Sequence, residues 1–202
     1  ATQALTFTGS DGADSITGGL GNDTFVVSNT SNTDTLVGGG GSDTISVTGA
    51  TVYTPAANAN IVNISKVSVG EAATANLSNI TSAISFSVTA ASGNETVSGG
   101  AGADTIDGGA GADSIIGAAG ADTITAGTGK DLITFANAKN ESNSTSIDQY
   151  VGLNFSVVNP GDKVDQFNLG VSAIGVTNTG SVSASSFVSN MNTLLTASGK
   201  GF

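Results

Sequence analysis

The chain has 202 residues, enough for one large domain or two small ones, and carries sixteen acids against five Lys, with no Arg, His or Cys, for a net charge of −11. That balance excludes a nucleic-acid partner, whose phosphates demand basic patches, and the missing Cys excludes disulfide and thiolate-metal chemistry. Aromatics are only 5% of the residues and charged groups 10%, so a thick conventional core would be poorly filled, whereas a solenoid lined by one aliphatic per short strand suits this composition.

The N-terminal segment ATQALTFTGS lacks the charged and apolar regions of a secretory leader, and no stretch approaches a transmembrane span. Either export uses a route without an N-terminal signal, or the chain is a piece of something longer. Residues 1–46 then form a first repeat block. Its copies are GSDGADSIT (Gly9–Thr17) and GGLGNDTFV (Gly18–Val26), then, after a two-residue slip, NTSNTDTLV (Asn29–Val37) and GGGGSDTIS (Gly38–Ser46). The pattern is G-G-x-G-x-D-x-U-x, with U a large aliphatic or aromatic residue, a signature of calcium-binding parallel β-helices.

In each copy the first six residues are expected to turn and the last three to form a short strand. Glycines at positions one, two and four permit positive φ and let carbonyls point inward, while the acid at position six adds a hard anionic oxygen. Carbonyls and carboxylates together form the shell that Ca²⁺ takes and Mg²⁺ usually does not. Two copies complete one coil of a two-sheet roll, so turn n sits beside turn n+2. Stacked acids would then lie ~4.8 Å apart and repel by roughly 3.5 kcal/mol at an effective dielectric of about 20. A cation removes that repulsion, so its binding free energy becomes folding free energy.

Residues 47–89 interrupt the repeats without leaving β chemistry. NIVNISKVSVG and ANLSNITSAISFSVT alternate polar and apolar residues between Gly, Asn and Ser turns, and the only acid is Glu71. They read as longer, metal-free solenoid coils joining two calcium blocks, with a separate globular insertion as the alternative.

Residues 90–135 form the second block: AASGNETVS, GGAGADTID, GGAGADSII, GAAGADTIT and AGTGKDLIT. Across both blocks position six holds eight Asp and Glu95, so about five Ca²⁺ would nearly cancel the net charge. The position-eight residues (Ile16, Phe25, Leu36, Ile45, Val97, Ile106, Ile115, Ile124 and Ile133) are expected to face the core. The candidate metal ligands fall in paired turns: Gly19, Gly21 and Asp23 with Gly38, Gly40 and Asp43; Gly100, Gly102 and Asp104 with Gly117, Ala119 and Asp122; Gly109, Gly111 and Asp113 with Ala126, Thr128 and Asp131. Asp14 faces the glycine-free turn 29–34, the pairing expected to stay vacant, and the longer Glu95 should pair more weakly with turn 108–113. Lys130 should point to solvent.

Residues 136–202 read as a capping region. Strands are expected around Ile147–Val158 and Lys163–Leu169, separated by the turn Asn159-Pro160-Gly161-Asp162. Asp148, Asp162 and Asp165 are candidates for one more ion, weighed against plain solvation. Phe187, Met191, Leu194 and Leu195 fall at helical spacing, giving one short helix that closes the roll. The fold class is therefore all-β: a parallel β-roll or β-solenoid with two calcium-binding nonapeptide blocks and a small C-terminal cap containing one short helix.

The nonapeptides resemble the RTX (repeats in toxin) family, exported by type I secretion from Gram-negative bacteria. That resemblance implies a β-roll that folds in high extracellular calcium and an uncleaved C-terminal secretion signal. The remainder is similar to RTX-type surface-layer proteins, which share the Thr-, Ala-, Ser-, Asn- and Gly-rich, Lys-poor, Cys-free composition. The segment IDQYVGLNFSVVNPGDKVDQFNLG resembles the family's post-repeat pattern, and the abrupt ending LLTASGKGF implies a fragment from near the C-terminus of a larger polypeptide.

The function expected is a calcium-dependent structural module of a secreted surface-layer or extracellular matrix protein on a bacterial surface. It would associate with itself into a lattice or filament, without membrane insertion; a cell-surface polysaccharide would be reached through regions outside the chain. The alternative is the secretion and folding domain of a larger type I-secreted enzyme or toxin. An ice-binding array is a third reading, disfavoured because the residues flanking position eight vary between successive copies (Thr105/Asp107, Ser114/Ile116, Leu132/Thr134). Catalysis within the chain is not expected: it has no His, Cys or Arg, no G-x-S-x-G elbow and no carboxylate pair apart from the repeat.

Overall fold

The computed structural model describes residues 2–9, 12–28, 33–49, 51–56, 61–81, 85–134 and 148–151, and the backbone of 166–168. Every regular element among them is a strand. In the first block these are β1 (Thr6–Thr8), β2 (Ser15–Gly19), β3 (Thr24–Val27), β4 (Thr35–Gly39) and β5 (Thr44–Val47). The middle holds β6 (Val52–Tyr53), β7 (Ile61–Val62), β8 (Lys66–Val69), β9 (Thr74–Asn76) and β10 (Ser87–Ala90). The second block holds β11 (Thr96–Ser98), β12 (Thr105–Asp107), β13 (Ala110–Gly111), β14 (Ser114–Ile116), β15 (Thr123–Thr125), β16 (Thr128–Gly129) and β17 (Leu132–Thr134). Beyond it lie β18 (Gln149–Val151) and β19 (Gln166–Asn168).

The described pairings are all parallel, and copies alternate between two walls. One wall is an unbroken eight-stranded sheet, β1-β3-β5-β8-β10-β12-β15-β18, that runs through both blocks and the middle. The opposite wall is divided into β2-β4-β7 and β19-β17-β14-β11-β9-β6. Coil length follows the repeat. Thr105 pairs with Thr123 and Ser114 with Leu132, both 18 residues on. In the first block the two-residue slip lengthens the coil, so that Thr24 pairs with Thr44.

The middle coils are longer, with Thr44 opposite Lys66 and Thr74 opposite Thr96. The divided wall originates here: after β5 the chain forms β6, which pairs forward with β9, then β7, which pairs back to β4. Two short segments thus share the space that one strand fills in every regular coil.

Position eight faces inward, as strand alternation requires. Phe25, Leu36, Ile45, Val97, Ile106, Ile115, Ile124 and Ile133 are buried in one continuous cluster, while Ile16 is partly buried. Phe7 and Phe25 stack with ring centroids 5.4 Å apart. In the middle the same core also takes Tyr53, Ile64, Leu77, Ile80 and Phe86. The helix expected over Phe187–Leu195, the turn at 159–162 and Asp165 lie outside the described residues.

Candidate metal centre

Each coil turns a corner before entering a strand, and in the two blocks that corner is occupied by the position-six acid. The acids stand in file along the roll, tied by a repeated bond in which Oδ1 accepts the main-chain N–H of the corner residue one coil earlier. Asp43 accepts from Asp23 N at 2.8 Å, Asp122 from Asp104 N at 2.8 Å, Asp131 from Asp113 N at 2.9 Å and Asp34 from Asp14 N at 2.9 Å. Asp113 accepts from Glu95 N at 2.9 Å, and Glu95 uses Oε1 to accept from Ala72 N at 2.9 Å. The main chain adds its own rung, since the carbonyls of Asp23, Asp104 and Asp113 accept from Thr44, Thr123 and Leu132.

The second carboxylate oxygen turns inward. Oδ2 of Asp23, Asp43 and Asp113 and Oε2 of Glu95 are buried without a hydrogen-bond partner. A buried carboxylate oxygen left this way costs several kcal/mol unless a cation meets it. Around the filed acids the turns pass too close for a side chain at Gly18 or Gly99. A Cβ placed on Gly18 would strike the orphaned Asp23 Oδ2 and the Gly38 carbonyl oxygen; one on Gly99 would strike the Gly117 carbonyl oxygen and Asp104 Oδ2, which accepts from Gly100 N at 2.8 Å. Gly18 and Gly99 are thus glycine because an acid oxygen and a carbonyl of the next coil converge there. In several copies position two takes a left-handed conformation, with φ of +99° at Gly39, +83° at Gly109 and +73° at Ala118.

Burial raises the carboxylate affinity for protons. It pushes Asp104 up to about 6, against the opposing pull of N–H bonds from Phe86 and Gly100. Asp113 is also pushed up to about 6, by burial first and then by the charges of Asp131 and Glu95. Among the described residues no three acids converge on one point; the file arrangement offers carboxylates from successive coils, and the other oxygens of a hard-cation shell come from the main chain or water. Orphaned buried oxygens beside a carbonyl-lined cradle fit a calcium ion. Bound there, calcium supplies neutralising charge; the chain's own Oδ1 bonds set the stacking.

The structure brings together the three predicted turn pairs, Asp23 with Asp43, Asp104 with Asp122 and Asp113 with Asp131, and also Asp14 with Asp34 and Glu95 with Asp113. The position-two carbonyls of Gly19, Gly100 and Gly109 accept N–H bonds from Gly40, Ala119 and Thr128, so part of their capacity is used by the ladder. Gly21, Gly102 and Gly111 are approached closely by the next coil: their carbonyl oxygens lie where a Cβ on Gly41, Gly120 or Gly129 would be. Ala126 is buried, as is Gly38, and Lys130 is exposed.

The position-one glycines Gly18, Gly99 and Gly108 were expected to permit inward carbonyls; Gly18 and Gly99 instead make room for an acid oxygen and a carbonyl of the next coil. Sequence reasoning passed over the position-five Asn22 and Asn94, whose Oδ1 atoms accept from Ser42 N and Ala112 N at 2.8 Å. Asp148 extends one file: its Oδ1 accepts from Asp122 N at 3.0 Å and its Oδ2 from the Tyr150 hydroxyl at 3.2 Å. Burial raises its pKa.

A parallel roll whose corners are filed with acids and whose turns are glycine cradles defines a calcium-binding solenoid. The RTX calcium-binding nonapeptide repeat matches the chain in four copies, at residues 6–29, 28–47, 89–124 and 109–136. The chain thus carries RTX repeats over residues 6–47 and 89–136. These repeats bind Ca²⁺ and occur in secreted bacterial proteins, and their β-roll is a structural fold. No curated protein and no solved structure matches the chain.

Proposed function

We propose that this chain is a calcium-folded structural module of a bacterial surface-layer or extracellular matrix protein, working outside the cell and associating with itself into a lattice or filament. The observation that carries the reading is the set of buried, partnerless oxygens on Asp23, Asp43, Asp113 and Glu95, which makes the metal-free fold costly and the calcium-rich exterior the place where it forms. About five ions would balance the filed acids. The surface-layer reading, as against a secretion domain of an enzyme or toxin, draws on the unbroken sheet that runs through the middle coils, whose corners hold no acid, between the two repeat blocks. It draws also on a composition poor in charge and rich in Ser and Thr. No catalytic role is assigned to the chain.

A calcium titration followed by far-UV circular dichroism and electron microscopy tests this. Strand signal and assembly should appear together as calcium is added and vanish with EDTA. Strand content that ignores EDTA contradicts the calcium reading, and folding without assembly at any concentration contradicts the lattice reading.

A further inference from the structure

The outer face of the eight-stranded sheet has an order that chain order conceals. Because alternate copies form this wall, its outward residues fall into two straight columns. One runs Thr24, Thr44, Lys66, Ser87, Thr105, Thr123, Gln149 and the other Val26, Ser46, Ser68, Thr89, Asp107, Thr125, Val151. Short hydroxyls dominate both. Lys66 and Asp107 are the only charges among the described outward residues of this sheet. They sit on β8 and β12, the two immediate neighbours of β10. Val26 and Val151 share the second column, each three strands from β10, on opposite sides.

This arrangement is symmetric about β10 with opposite charges exchanged. We propose that the face docks against the same face of a second copy of this chain, about a two-fold axis lying along β10. This deepens the self-association part of the proposed function and rests on it. Such an axis preserves the columns and reverses strand order. It lays Val26 of each copy opposite Val151 of the other, and each Lys66 opposite Thr105 of the other. Asp107 of that copy is then two residues along the strand, about 7 Å away and within a lysine's reach. Both ion pairs form at once, as an isologous contact requires. The Asp107 carboxylate is held in place by the Gly109 N–H, at 3.1 Å. The same axis sets Asp107 of the second copy opposite Ser68, over a groove of about 400 Å³ lined by Thr44, Lys66, Ser68, Ser87 and Thr89. Eight short strands spaced ~4.8 Å apart offer less than the ~800 Å² per partner of a stable dimer, so the contact is weak singly and effective when repeated through an assembly.

The test is sedimentation of the full chain in calcium up to about millimolar concentration, with Lys66→Glu, Asp107→Lys and the charge-swapped double variant. Each single variant should associate about tenfold more weakly, because like charges then face across the axis, and the double should recover toward wild type. Wild type that stays monomeric, single variants that associate unchanged, or a double as weak as the singles would overturn the docking face. Circular dichroism in calcium separates the two claims. Variants that fold normally but associate without regard to charge refute the face alone, whereas a wild-type chain whose folding ignores calcium refutes the calcium reading.

Discussion

At the corners leading into the long sheet, the two repeat blocks place Asp23, Asp43, Asp104 and Asp122, and the middle coils place Ser65 and Phe86. On the opposite wall the blocks use Asp34, Glu95, Asp113 and Asp131, where the middle uses Thr51 and Ala73. The backbone ladder is the same throughout: Ser87 N bonds the Ser65 carbonyl just as Thr123 N bonds that of Asp104. What differs is the filling. In the blocks the corner is packed with oxygen and calls for a cation; in the middle coils Ile64, Leu77, Ile80 and Phe86 are buried, each contributing roughly 2 kcal/mol of burial. One roll thus uses two fillings to stack its coils, and we expect only the acid-filled one to respond to calcium.

Breaking the oxygen-filled corner should have the largest effect. Asp113→Ala removes the acceptor of the Glu95 N–H and one inward oxygen; it should cost about 3 kcal/mol or more in calcium, measured by denaturant unfolding. Asp113→Asn keeps an acceptor but drops the charge, so it should lose calcium response while making the EDTA-treated chain more stable. A variant equally damaged with and without calcium would mean that the acid serves packing alone.

Gly99→Ala tests the cradle. Its Cβ would meet Asp104 Oδ2 and the Gly117 carbonyl, and a loss of about 2 kcal/mol is expected together with weaker calcium binding in a calorimetric titration. Acidity sharpens the same contrast. Asp104 and Asp113 have folded pKa values of about 6, above the roughly 3.9 of an unfolded Asp. Their protonated forms therefore favour the fold, a contribution full below about pH 4 and lost as pH rises through about 6. In EDTA, thermal stability should rise from pH 7 to pH 4, by on the order of 2 kcal/mol from Asp104. In calcium the trend should reverse, because protons displace the metal. The smallest effect is expected at Ala118, whose φ of +73° favours glycine; Ala118→Gly should raise stability by up to about 1 kcal/mol.

The nine-residue period made the coil, the buried position-eight residues and the paired acids legible, because a strand repeats every second residue and a turn needs its glycines at fixed places. Other features were hidden for physical reasons. Asp148 has no glycine turn before it, so its place in the file follows only from the pairing of Gln149 with Thr123. The exchange of β6 and β7 depends on which neighbouring coil each short strand meets, which no local pattern encodes. The varied residues flanking position eight argued against an ordered face, yet Thr6, Thr24 and Thr44 form one column once every second copy is taken.

The central claim is that calcium stacks the blocks and hydrocarbon stacks the middle. Amide hydrogen exchange on the full chain, with calcium and after EDTA, tests it most directly. Without calcium the amides of Asp23, Glu95, Asp104 and Asp113, which bond to filed carboxylates, should lose protection by orders of magnitude, while those of β8 and β10 keep a measurable part of theirs. Protection in the blocks that is unchanged by EDTA, or a middle that loses more than the blocks, would contradict the account.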